Sequence, residues 1–111
     1  MSDKEYSKWI AVDLDGTLAG QHEGDEIGEP VPAMVDRVKL WLEEGKEVRL
    51  FTSRAYAMSA KQLHAINSWL VDNLGQTIPV TCEKDPGCEE IWDDRAIQII
   101  KNTGQRADGE L

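Results

Sequence analysis

Basic residues are scarce in this chain: twelve Lys and Arg stand against twenty-one Asp and Glu, a net charge of −9. Clustered Lys and Arg are what grip a nucleic-acid backbone or an anionic bilayer, so the balance disfavours both as partners. Cysteine is nearly absent as well, and Cys82 and Cys88 are too few for a disulfide framework. No apolar run approaches the roughly 18 residues of a membrane span. Met1 to Lys8 is polar, without the apolar segment of a secretory signal. Reduced thiols and a cytoplasmic location are therefore expected. Repeats, low-complexity tracts and linkers are also lacking. The 111 residues are expected to form one domain, with a core over about 8–101 and a polar tail over 102–111.

The stretch on which the rest is organised is Trp9-Ile10-Ala11-Val12-Asp13-Leu14-Asp15-Gly16-Thr17-Leu18. Four apolar residues, two of them β-branched, predict a short buried strand. It runs into two carboxylates at i and i+2, a spacing that puts both on one side of an extended backbone. Gly16 then lets the chain turn away. In a parallel α/β pattern, such a strand end lies where these folds bind ligands.

The chain then alternates. Ala19 to Glu29 is an irregular, acidic segment holding Gly20, Gly24 and Gly28, and its length predicts a functional flap beside the carboxylates. Pro30-Val31-Pro32 opens a helix with Met34, Val35, Val38, Trp41 and Leu42 on its apolar face, stopped at Gly45. Glu47 to Phe51 predicts a second strand, ending in Thr52-Ser53-Arg54. A second helix is expected from about Ala57 to Leu74, with Met58, Leu63, Ile66, Leu70 and Leu74 as its stripe. Ile78 to Cys82 predicts a third strand and Glu90-Ile91-Trp92 a fourth, followed at once by Asp93-Asp94-Arg95. The isoleucine-rich Ala96 to Ile100 predicts a fifth. Trp9, Trp41, Trp69 and Trp92 each adjoin core positions and are read as packing residues, and His64 as a surface residue. Strands alternating with helices over short connections imply a mainly parallel sheet.

Asp13-Leu14-Asp15-Gly16-Thr17 resembles the first signature motif of the haloacid-dehalogenase (HAD) superfamily, most of whose members are phosphatases working through an aspartyl-phosphate. Three further sites match the family in order. Thr52 matches the hydroxyl residue of the second motif, Lys84 the basic residue of the third, and Asp93 with Asp94 the acidic pair of the fourth. Ile27 to Pro32 also looks like the Ile-Gly-x-Pro-x-Pro segment of small members encoded by phages and bacteria. The resemblance implies a three-layer Rossmannoid α/β fold with strand order 5-4-1-2-3. The gaps between Asp15 and Thr52 and between Thr52 and Lys84 are too short for a cap domain.

The resemblance also implies roles. Asp13 would be the nucleophile and Asp15 the acid and base. Thr52 would hydrogen-bond a phosphoryl oxygen and Lys84 neutralise charge, with Arg54 and Arg95 as competitors for that last role. Asp13, Asp15, Asp93 and Asp94 would hold Mg²⁺, a hard cation that takes oxygen ligands. A carboxylate attacking a phosphate meets repulsion unless positive charge neutralises both, so the chemistry requires these residue types. The substrate is expected to be a phosphorylated small molecule or macromolecule, with specificity supplied by its own bulk, by an oligomer partner or by the flap. Two other readings use similar parts: a catalytically silent Mg²⁺- or partner-binding relative, and a receiver-like phosphoacceptor domain. In receiver domains the acidic pair comes early and the phosphorylated Asp stands alone, the reverse of the order here.

Overall fold

The computed structural model describes residues 5–110; Met1 to Lys4 of the polar first stretch and Leu111 of the tail lie outside it. Among the described residues the order is β1 (Trp9–Val12), α1 (Pro32–Glu43), β2 (Glu47–Phe51), a 3₁₀ turn (Ser53–Ala55), α2 (Ala60–Leu74), β3 (Val80–Thr81) and β4 (Cys88–Trp92). The four strands form one sheet in the order β3-β2-β1-β4, every pairing parallel. No helix among the described residues is long and apolar enough to cross a membrane.

β1 is central and buried along its whole length, as an apolar strand flanked on both sides must be. Ile10 and Val12 share a face with Val48 and Leu50, and on them pack Val35, Val38 and Trp41 of α1 and Ile66, Leu70 and Leu74 of α2. Met34, Leu42 and Met58 pack partly buried around this core, whereas Leu63 is exposed. α2 starts later than its apolar stripe suggests because Ser59 and Gln62 close a capping box, each side chain bonding the other's backbone N–H. Ala57, at φ 51°, lies in the turn before it.

Among the described residues both α-helices therefore lie on one face, so the arrangement has two layers, sheet and helices, where three were expected. The chain steps from β1 to β2 to β3 in one direction, and right-handed crossovers taken in one direction put their helices on one side. The return from β3 to β4 would place a helix on the other side, but residues 82–87 cross as an irregular segment without helix. On that face Asp85 accepts from the Trp9 indole N–H at 2.8 Å and from Arg49 Nη1 at 3.1 Å, and the Arg49 guanidinium stacks over the Trp9 ring at 4.3 Å. The four tryptophans pack as expected. Trp41 meets Trp92 edge-on at 5.2 Å, Trp9 meets Phe51 at 6.5 Å, and Trp69 donates to the Gly28 carbonyl at 3.1 Å.

The fifth strand expected at Ala96 to Ile100 does not join the sheet among the described residues. That segment bonds to the tail instead: Ile99 bridges Arg106 antiparallel, Ile100 N–H donates to Gln105 at 2.7 Å, and Ala107 N–H donates to Gln98 at 2.8 Å. The tail, expected to fray, is thereby tied into turns at Asn102 and Gly104, both at positive φ. High β-propensity gained a pairing partner within its own hairpin-like return, and Ile97, Ile99 and Ile100 remain about half exposed.

Candidate functional site

The sheet order creates the site. From β1 the chain leaves toward β2, whereas β4 comes in on the opposite side, so β1 and β4 form a topological switch point. At such a point the loops leave the two carboxyl ends in opposite directions and open a crevice. Asp13 follows β1 and Asp93-Asp94 follow β4; the Asp13 N–H donates to the Trp92 carbonyl at 2.9 Å and locks the two ends together.

Asp13, Asp93 and Asp94 each present a carboxylate oxygen such that all three lie within 4.8 Å of one another. Burial, then the nearby charge of Asp93 and more weakly of Asp94 and Asp15, pushes the Asp13 carboxyl up from 3.8 to about 6. An all-oxygen donor set of this kind can hold a hard divalent cation. Gly16 and Thr17 build the cluster from the other side. Gly16 has φ 86°, and a Cβ there would lie 2.7–2.9 Å from the Asp94 carboxylate. Thr17 donates its hydroxyl to Asp94 Oδ1 at 3.2 Å and accepts the Asp94 N–H at 3.1 Å. Asp93 Oδ1 accepts from Arg95 N–H at 2.7 Å, which fixes its turn.

Thr52 follows β2 and is 2% exposed. Its N–H donates to the Thr81 carbonyl, and its hydroxyl oxygen accepts from Arg54 N–H at 3.2 Å, so the hydroxyl proton is left to donate elsewhere. A cavity of about 680 Å³ is lined by Asp13, Thr52, Ser53, Tyr56, Asp93 and Arg95 among others. A second, of about 990 Å³, runs from Asp13 and Asp15 between the flap and the start of α2, past Gln21, His22, Lys61 and Gln62. The flap itself is closed at its neck by Gly20 N–H to the Glu29 carbonyl at 2.7 Å. There Gly28 passes so close to Gly20 that no side chain fits.

Two expected residues sit differently. The Asp15 carboxylate is outside the oxygen cluster and is held by both oxygens on Arg54, at 2.7 and 2.8 Å. The same pairing places the Arg54 guanidinium on Asp15 and the flap. Lys84 lines neither cavity; its charge acts on the Cys88 thiol, at the amino end of β4. The 82–87 crossover has no helix to turn Lys84 toward the carboxyl edge. The cations on the cavity walls are instead Arg95, in both, and Lys61 and Arg54, in the larger. Lys61 was not marked by the sequence, and only its place in the first turn of α2 could have suggested it.

No protein-family model matches the chain, and no curated protein does. Among solved structures it is similar to a conserved protein from Bacteroides thetaiotaomicron, with a TM-score of 0.64 and 22% identity over 82% of this chain and 78% of that one. At that identity the likeness bears on the fold alone.

Proposed function

We propose that the chain is a Mg²⁺-dependent phosphohydrolase acting on phosphomonoesters, of HAD-like fold without a cap, with Asp13 as nucleophile. The observation that carries this reading is the meeting of three carboxylates with a buried hydroxyl at an open crevice of the β1–β4 switch point. The order β3-β2-β1-β4, with Asp13 directly after the interior strand β1, supports it.

The residues fit the ion. Asp13, Asp93 and Asp94 would hold it; burial first, and then the charge of the neighbouring carboxylates, raises Asp13, and a cation would offset both. Bound there, Mg²⁺ supplies positive charge to the phosphoryl oxygens and to the attacking carboxylate. The Asp13 carboxylate attacks phosphorus, and the bond to the ester oxygen breaks as that oxygen takes a proton from Asp15. Water then attacks the phosphoryl group on Asp13 and gives its proton to Asp15, releasing inorganic phosphate and the Asp13 carboxylate. The Thr52 hydroxyl donates to a phosphoryl oxygen, and Arg95 supplies positive charge from the cavity wall. The larger cavity has the size that encloses a small molecule, and the acidic flap above it selects against polyanions. The substrate class is therefore a small phosphomonoester.

The test is hydrolysis of 4-nitrophenyl phosphate with Mg²⁺ and with chelator, by wild type and Asp13→Asn. Mg²⁺-dependent turnover that disappears in the variant is expected. Absent turnover with intact Mg²⁺ binding would overturn the reading in favour of a binding module, and a long-lived phosphorylated protein would favour a receiver-like role.

A further inference from the structure

The Arg54 guanidinium makes four hydrogen bonds that join three parts of the molecule. Nε and Nη2 donate to Asp15 Oδ2 and Oδ1 at 2.7 and 2.8 Å. Nη1 donates to the Asp25 carbonyl at 2.6 Å and Nη2 to the Glu26 carbonyl at 2.9 Å, both on the flap. Its backbone N–H, meanwhile, is the one that occupies the Thr52 hydroxyl oxygen. Asp15 and Arg54 are both largely sheltered, with side chains 23% and 21% exposed. A planar fork that grips a carboxylate with one edge and two carbonyls with another fixes all three in one plane, which a lysine cannot do.

The geometry points to Arg54 as a positioning residue that couples the flap to the acid and base of the reaction. This inference rests on the phosphohydrolase reading for its catalytic half. The two flap carbonyls dock on the same guanidinium that orients Asp15, so a docked flap and an oriented Asp15 are one state. An open flap gives up two of the four bonds and leaves the guanidinium that orients Asp15 anchored by the carboxylate alone. The wall of the larger cavity includes Asp15, Arg54, Asp25 and Ile27, so a leaving group bound there touches both halves of the device. Specificity then comes from the flap: a leaving group that lets Asp25 and Glu26 reach Arg54 is protonated by a correctly held Asp15.

Two readouts test this. The first needs no turnover: the rate of cleavage by a Glu-specific protease after Glu23 and Glu26 in the flap, for wild type, Arg54→Ala, Arg54→Lys and Asp15→Ala. All three variants are expected to be cut about 10-fold faster or more than wild type, because the Arg54 variants remove bonds that hold the flap down and Asp15→Ala releases the guanidinium that makes them. Asp15→Ala is the informative member, since Asp15 itself does not touch the flap carbonyls. Unchanged cleavage in Arg54→Ala, or in Asp15→Ala, would overturn the coupling.

The second readout is kcat/KM for two esters, which covers the steps up to departure of the leaving group. An alkyl phosphate needs a proton from Asp15, whereas 4-nitrophenolate leaves without one. Arg54→Ala and Arg54→Lys are expected to lose about 100-fold on the alkyl ester and less than about 10-fold on the aryl ester. Equal losses on both would make Arg54 merely structural and overturn its positioning role. Should wild type hydrolyse neither ester, the phosphohydrolase reading falls with the catalytic half of this proposal, and the cleavage rates alone decide the flap coupling.

Discussion

Thr17 and Asp94, 77 positions apart, hold each other twice: the Thr17 hydroxyl donates to the Asp94 carboxylate at 3.2 Å and accepts the Asp94 N–H at 3.1 Å. The threonine at the end of the first motif thus serves the acidic pair at the end of the last. Thr17→Val keeps the shape and loses both bonds. It is expected to weaken Mg²⁺ binding 10- to 100-fold by calorimetry, about the loss that follows when a ligand's supporting hydrogen bond is removed. Thr17→Ser should retain most of the affinity.

Gly16→Ala should be worse. Its φ of 86° costs an L-residue about 1–2 kcal/mol, and the new Cβ would sit against the Asp94 carboxylate. A lower midpoint of thermal unfolding together with lost Mg²⁺ binding is expected. Wild-type Mg²⁺ affinity in this variant would show that Asp94 is dispensable to the cluster.

Metal-free protein should be stabilised by Asp13→Asn above pH 6. In the unfolded chain Asp13 titrates near 3.8, and in the folded one at about 6. The folded state therefore holds a proton that the unfolded state has released, and the stability this brings is complete below 3.8 and lost as pH rises through 6. The amide escapes that loss. Because Asp13 is only partly sheltered, the gain at pH 8 is about 1 kcal/mol after allowance for solvent screening, and it disappears at pH 4. Denaturant melts of both proteins at the two pH values measure it. Mg²⁺ affinity of the wild type should fall as pH drops below 6, where binding must displace the proton.

Asp85 anchors the crossover that replaces a helix. It accepts from Trp9 Nε1, Gly87 N–H and Arg49, and these partners, Trp9 foremost, hold its carboxyl below the ordinary value. Asp85→Ala leaves the indole N–H of buried Trp9 without this partner and is expected to lower the midpoint of urea unfolding. With a depressed folded pKa, the contribution of Asp85 is present above the unfolded value and is lost as acid takes the pH down through the folded one. The variant should therefore differ from wild type least at low pH.

The sheet and the acidic cluster were legible because each rests on a local pattern. β1 announces itself by an apolar run ending in Asp13, and Asp93-Asp94 by the apolar residues before them. Where the outcome depended on a distant partner, local pattern was a poor guide. The isoleucines of 96–100 have strand propensity, but the backbone bonds of that segment are made with Gln105 and Ala107, not with β4. Lys84 follows the third strand as a basic residue should, yet the segment carrying it runs back along the sheet to Trp9 and Arg49. A three-layer arrangement needs a third helix between β3 and β4, and six irregular residues with a proline and a glycine stand there instead. Arg54 was visible as a cation at the end of β2, but its bonds to Asp15 and to the flap are contacts between residues 28 to 39 positions apart.

The most direct test of the account is to look for phosphate on Asp13. Wild type and Asp15→Asn, mixed with a labelled aryl phosphate and Mg²⁺ and quenched in acid, should carry a hydroxylamine-labile acyl phosphate on the peptide containing Asp13. It should accumulate in Asp15→Asn, where the attacking water lacks its base, and be absent from Asp13→Asn. Turnover without any label on Asp13, or a label on another residue, would contradict the account.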